Sequence, residues 1–105
     1  MGLLKELAER DRSVLFRADQ NGWTPLHEAA RSGQADVLEY LLEEGAQVNQ
    51  RTNNGMGGNA LFWAEKKKDE PKFNEAIAVL KKHGAVSLPP LHRKKKNWQN
   101  TLDTI

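Results

Sequence analysis

The feature that most constrains this chain is the run Thr24-Pro25-Leu26-His27-Glu28-Ala29-Ala30, closed by Gly33. Thr24 supplies a side-chain oxygen to cap a helix, and Pro25 falls in the first turn, where an amide has no intrahelical acceptor anyway. Gly33 then ends the helix after about two turns. A helix that short is marginal alone. Its inner face offers only the small side chains of Ala29 and Ala30, which become useful when another helix packs closely over them. The run therefore predicts a chain built from stacked short helices.

The same pattern recurs along the sequence. Leu3-Leu4-Lys5-Glu6-Leu7-Ala8 precedes a turn and Val14, Val37-Leu38-Glu39-Tyr40-Leu41-Leu42 precedes Gly45-Ala46-Gln47-Val48-Asn49, and Ala76-Ile77-Ala78-Val79-Leu80 precedes Gly84-Ala85-Val86. Apolar residues spaced by three and four positions give each segment one buried stripe. In the last two, glycine stands where a left-handed helix end is expected. Asp36, with Glu39 three residues later, predicts a capping box. Gly58-Asn59-Ala60-Leu61-Phe62-Trp63-Ala64 aligns with residues 23–29, and Pro71 sits near the start of the final helix. Pro89-Pro90 blocks further helix, and residues 92–104 are strongly polar, which predicts an extended or disordered tail anchored only by Trp98 and Leu102.

Asp19-Gln20-Asn21-Gly22-Trp23-Thr24-Pro25-Leu26-His27-Glu28-Ala29-Ala30, then Gly33, Leu41-Leu42, Gly45-Ala46 and Val48-Asn49, resembles the ankyrin repeat. The resemblance implies an all-α, short ankyrin-repeat solenoid with projecting β-hairpin-like loops. It also implies a domain over residues 1–88, comprising a partial unit (1–18), a complete unit (19–50) and a divergent unit (51–88), followed by a basic tail (89–105). Against a period of roughly 33 residues, the third unit is enlarged within residues 53–58 and again within residues 65–74. Thr24 and His27 resemble the polar pair that ties neighbouring loops and helices. Their replacement by Asn59 and Phe62 predicts a change in that tie. The residues of 52–58 and 84–86 also resemble short ankyrin regions attached to microbial or algal oxygenases of the prolyl-hydroxylase type.

Catalytic chemistry finds little support in the sequence. The chain has no cysteine, which removes disulfides, thiolate metal sites and cysteine nucleophiles and suits a reducing compartment. His27, His83 and His92 stand apart, with no HxxxH or HExxH spacing. Glu43-Glu44 and Asp69-Glu70 are adjacent pairs that diverge on a helix, and the glycines at 55, 57 and 58 lack the ending of a phosphate loop. We therefore expect no enzyme activity, no metal and no cofactor. No apolar stretch reaches membrane-spanning length, and residues 1–10 do not resemble a signal peptide. An intracellular protein of the cytoplasm or nucleus is expected.

Binding is the remaining reading, with an unidentified protein or another domain of the parent chain as partner. Trp23 beside Gly22, and Trp63 at the position equivalent to Glu28, either pack locally or anchor a partner, since an indole buries a large rigid area. Gln20, Asn21, Glu28, Arg31, Ser32, Asn54 and Met56 would complete that surface. Charge is uneven as well: residues 1–50 carry five basic and nine acidic side chains, residues 51–105 eleven and five. Arg93, Lys94, Lys95 and Lys96, with Trp98, suit a solvated tail, a nuclear-import signal, or contact with nucleic acid or an anionic surface. A structural cap for a larger protein is the other alternative.

Overall fold

The computed structural model describes residues 2–91. Its α-helices are α1 (Gly2–Arg10), α2 (Pro25–Ser32), α3 (Ala35–Glu43), α4 (Ala60–Glu65) and α5 (Pro71–Lys82), with 3-10 turns at Arg12–Leu15 and Asn53–Gly55. α2 packs on α3 and α4 on α5, and the two pairs stack with α2 against α4 and α3 against α5. α1 lies beside α3: Lys5 Nζ is 5.2 Å from the centre of the Tyr40 ring, and Arg12 pairs with Glu44. This all-α helical repeat arrangement is consistent with the ankyrin solenoid that the sequence resembles.

The core follows from the apolar stripes. Leu38, Leu41, Phe73 and Leu80 are fully buried, and each contributes about 2 kcal/mol by leaving water. Ala29 and Ala30 are 3% and 0% exposed in a helix that touches both α3 and α4. That contact accounts for the persistence of a helix only eight residues long. Helix ends obey local chemistry. The Thr24 amide donates to His27 Nδ1 at 3.0 Å, and Asn59 Oδ1 accepts the Phe62 amide at 3.1 Å. At the end of α3, Ala46 donates to the Leu41 carbonyl at 3.0 Å and Gly45 to the Leu42 carbonyl at 3.1 Å, while Gly45 adopts φ 106°. Gly84 and Ala85 repeat that arrangement after α5, at 3.0 Å to the Lys81 and Leu80 carbonyls.

The capping box expected at Asp36 and Glu39 does not form. The Gln34 carbonyl already accepts the Leu38 amide at 3.0 Å, so α3 starts two residues earlier than Asp36 would set it. Asp36 Oδ1 instead accepts the neighbouring Val37 amide at 2.9 Å, and Glu39 turns across to α5.

The expectation of projecting β-hairpin-like loops is also overturned. Among the described residues there is no β-strand, only an isolated antiparallel bridge between Arg51 and Asn59. The cause is local. The 19–23 turn directs the Asn21, Gly22 and Trp23 amides onto Asp19, and the 52–58 loop directs the Gly55 and Gly57 amides onto the Thr52 carbonyl. Asn53 and Asn54 hold φ of 51° and 54°, left-handed values that asparagine tolerates but an extended ladder excludes. Successive loops are joined by single bonds, such as the Asn53 amide to the Asn21 carbonyl at 3.0 Å.

Gly22 makes that junction possible. Its φ is +76°, and a Cβ there would lie 2.6 Å from the Asn53 nitrogen. Only glycine allows both the turn and the close approach.

Candidate functional site

Where the α2 and α4 units meet, three aromatic side chains, Trp23, Phe62 and Trp63, come together. Asp19 Oδ1 accepts the Asn21 amide at 2.8 Å and the Trp23 amide at 3.0 Å, which fixes the backbone entering α2. The Trp23 ring then sits 5.0 Å from Trp63, tilted by 42°, and 5.8 Å from His27 in an edge-on contact. Trp63 projects from α4, its indole N–H donating to the Gly58 carbonyl at 3.1 Å, and Phe62 lies 5.0 Å beyond it at 79°. Trp23, Phe62 and Trp63 are all half-buried. Each is therefore held in place while part of it faces water.

Cations cover this patch. The Arg31 guanidinium lies 5.5 Å from the Trp23 ring centre, and Lys66 Nζ lies 5.0 Å from Phe62 and 6.0 Å from Trp63. Arg31 also pairs with Glu28 Oε1 at 2.6 Å. The 35 positions between Arg31 and Lys66 equal those between Leu26 and Leu61, so the two cations occupy equivalent places in successive units.

The structure thus brings together Trp23, Glu28, Arg31 and Trp63 from the sequence-derived set. Gln20, Asn21 and Asn54 are exposed at the adjoining loops, where the Asn21 carbonyl meets the Asn53 amide. Ser32 is half-buried at the opposite end of α2 from Trp23. Met56 is half-buried, and its carbonyl accepts the Leu91 amide at 2.9 Å. Phe62 and Lys66 belong to the patch but were not anticipated, although Lys66 stands four and three positions after Phe62 and Trp63, the spacing of one helix face. Arg93, Lys94, Lys95, Lys96 and Trp98 lie outside the described residues.

The histidines serve the scaffold. His27 is fully buried; its Nδ1 accepts the Thr24 amide, which leaves Nε2 to carry the proton and donate to the Gln50 carbonyl at 2.7 Å. Burial holds its pKa below the ordinary 6.5, opposed by the Gln50 carbonyl and by the charges of Glu28 and Asp19. His83 Nε2 meets Glu39 Oε2 at 2.8 Å, and Lys82 meets Oε1 at 3.2 Å. Hydrogen bonds from His83 and then Lys82 hold the Glu39 carboxyl below its usual range. Among the described residues, no group of three or more histidines, aspartates or glutamates is placed to hold a metal ion, and no helix is long and apolar enough to cross a membrane.

Residues 21–53 match the ankyrin repeat family. The 2-5A-dependent ribonuclease of Homo sapiens is 40% identical over 53 residues, covering 50% of this chain and 7% of that protein. The 26S proteasome non-ATPase regulatory subunit 10 of Mus musculus is 40% identical over 57 residues, 51% of this chain and 25% of that protein. Ankyrin repeat-containing protein P1E11.10 of Schizosaccharomyces pombe is 43% identical over 49 residues, 47% of this chain and 23% of that protein. The chain spans a quarter or less of the length of these relatives, and the family match does not extend to oxygenase-linked arrays in particular. The matched residues include the whole of α2 and α3, the glycines that end them, and the Thr24–His27–Gln50 tie. An ankyrin repeat is therefore present at residues 21–53.

Proposed function

We propose that this chain recognises another protein through the aromatic junction of Trp23 and Trp63, without catalysing a reaction. Ankyrin-repeat domains are non-catalytic protein-interaction and scaffolding modules, and no partner is specified by that statement alone. The observation that carries the reading is the pair of half-exposed indoles 5.0 Å apart, one from each unit. Aromatic side chains dominate interface energetics because they bury much area with few rotatable bonds. Here the Asp19 turn fixes the Trp23 backbone, its ring packs on His27 and Trp63, and the Trp63–Gly58 hydrogen bond fixes the second ring, so a partner meets a preformed anchor and little ordering is needed. Glu28 and Arg31 form a charged rim, and Gln20, Asn21 and Asn54 supply amides beside it.

The test is a comparative capture from cell extract with the wild-type chain, Trp23→Ala, Trp63→Ala and a control, Glu43→Ala, exposed on α3. Proteins retained by the wild type and control but lost by both tryptophan variants support the reading. Retention of the same proteins by all four chains, with helicity unchanged, removes the patch as the binding surface.

A further inference from the structure

The segment after α5 is held in an unusual way. The Asn49 side-chain amide reaches the Gly84 carbonyl at 3.4 Å, and Asn49 Oδ1 accepts the Val86 amide at 3.0 Å. Asn59 Nδ2 donates to the Val86 carbonyl at 2.6 Å, Asn59 Oδ1 accepts the Leu88 amide at 3.1 Å, and the Asn59 amide donates to the Leu88 carbonyl at 3.1 Å. Arg51 donates to the Pro89 carbonyl at 2.7 Å, and the Leu91 amide donates to the Met56 carbonyl at 2.9 Å. The main-chain groups grasped at 86 and 88 alternate, as in an extended strand, whereas Gly84, at φ 91°, still belongs to the left-handed end of α5. Beyond Ala85, which packs against the core, side chains contribute little: Val86 is 60% exposed, Leu91 49%, Ser87, Pro89 and Pro90 are exposed, and Leu88 alone is half-buried.

We propose that Asn49, Arg51 and Asn59 form a groove for extended peptide backbone, that residues 86–91 fill it as a strap, and that an extended, proline-containing segment of another protein takes the same groove in exchange. Backbone recognition by fixed side-chain amides is largely indifferent to the identity of the occupant's side chains, as when a peptide is added to a sheet edge. The two prolines indicate the tolerated chemistry. They fall where no amide hydrogen is required, the Pro89 carbonyl is used, and the next donor in use belongs to Leu91. Pre-set proline torsions also lower the ordering cost of an extended ligand. Asn59 is 0% exposed with both ends of its amide engaged, so a replacing backbone restores bonds that a vacant groove would lose.

The tethered strap acts at an effective concentration on the order of millimolar, so a free peptide competes well only when the strap is weakened. The full-length chain carrying Val86→Pro and Leu88→Pro loses the amide donors to Asn49 and Asn59 while keeping α5 and every groove residue. The probe is a fluorescein-labelled peptide with the sequence of residues 86–91, followed by anisotropy. The double-proline chain is expected to bind it at least tenfold more tightly than the wild type does, and adding Arg51→Ala is expected to reverse most of that gain. A gain below tenfold with helicity intact overturns the proposal. Loss of helicity in the double-proline chain overturns it as well, because the strap is then an inseparable part of the fold. Trp23 and Trp63 take no part in this binding, so its failure leaves the aromatic reading standing.

Discussion

His27 Nε2 lies 2.7 Å from the Gln50 carbonyl oxygen, and that bond spans the distance from the first helix of one unit to the loop that begins the next. Its Nδ1 end is committed to the Thr24 amide, so a second proton on the ring would face an N–H donor. Loss of solvent on burial depresses the His27 pKa below 6.5. The unfolded chain consequently takes up this proton at a higher pH than the folded chain. The stability contributed by neutral His27 is complete above pH 6.5 and is lost as pH falls through the lowered folded value. Urea midpoints measured from pH 7.5 to 5 should decline in the wild type, and His27→Gln should remove part of that decline. Parallel declines in the two chains would assign the acid sensitivity to other groups. At neutral pH, His27→Ala should cost about 1–3 kcal/mol, since it strands the buried Thr24 amide and removes the bond to the Gln50 carbonyl.

Gly22→Ala should destabilise the domain by more than Gly55→Ala does. Both glycines have positive φ, +76° and +95°, so both variants carry the cost of a left-handed alanine, about 1 kcal/mol. Only Gly22 adds a collision, with a Cβ 2.6 Å from the Asn53 nitrogen, whereas the Gly55 position is open. Chemical denaturation of the two variants separates these contributions. Equal losses would mean that the Asn21–Asn53 loop junction yields without resistance.

Asn59→Thr places at this position the residue found at the equivalent position 24. Threonine can cap α4 through its hydroxyl but cannot reproduce the two donors that Asn59 sends to Asn49 and the Val86 carbonyl. The expected loss is about 1–3 kcal/mol. Amide exchange at Val86 and Leu88 should quicken more than exchange within α2. Uniform quickening throughout the domain would show that Asn59 supports the stack as a whole rather than its last loop in particular.

The Glu39 contacts with His83 and Lys82 join α3 to α5. The lowered Glu39 pKa means that its contribution is present above the ordinary carboxyl value of 4.5 and is lost as pH falls through the folded value. Glu39→Gln should therefore lower the thermal midpoint at pH 6 and have less effect at pH 3. A constant difference across that range would show that packing, rather than charge, connects these side chains.

The helices and most of their ends were legible because they are encoded by neighbours: a 3.6-residue stripe, a threonine before proline, a glycine after the last leucine; the start of α3 was misread, because Gln34 rather than Asp36 caps it. The loops were not. Whether residues 52–58 form a ladder or a coil of local turns depends on which amides the Thr52 carbonyl captures, and alternation of residue types does not report that. Asn59 reads as a poor copy of Thr24, yet its partners Val86 and Leu88 lie 27 and 29 positions away, beyond any local pattern. The Trp23–Trp63 contact spans 40 positions. Aligning the repeats marks both rings as neighbours of adjacent units, but only the geometry shows them packing together while remaining half-exposed.

Calorimetric titration of a partner recovered by comparative capture tests the central claim most directly. Trp23→Ala and Trp63→Ala should each weaken binding by roughly tenfold or more, the effect of truncating an aromatic anchor, while Glu43→Ala leaves it unchanged. Affinities within twofold of the wild type for both tryptophan variants, with helicity retained, would contradict the assignment of the aromatic junction as the recognition surface.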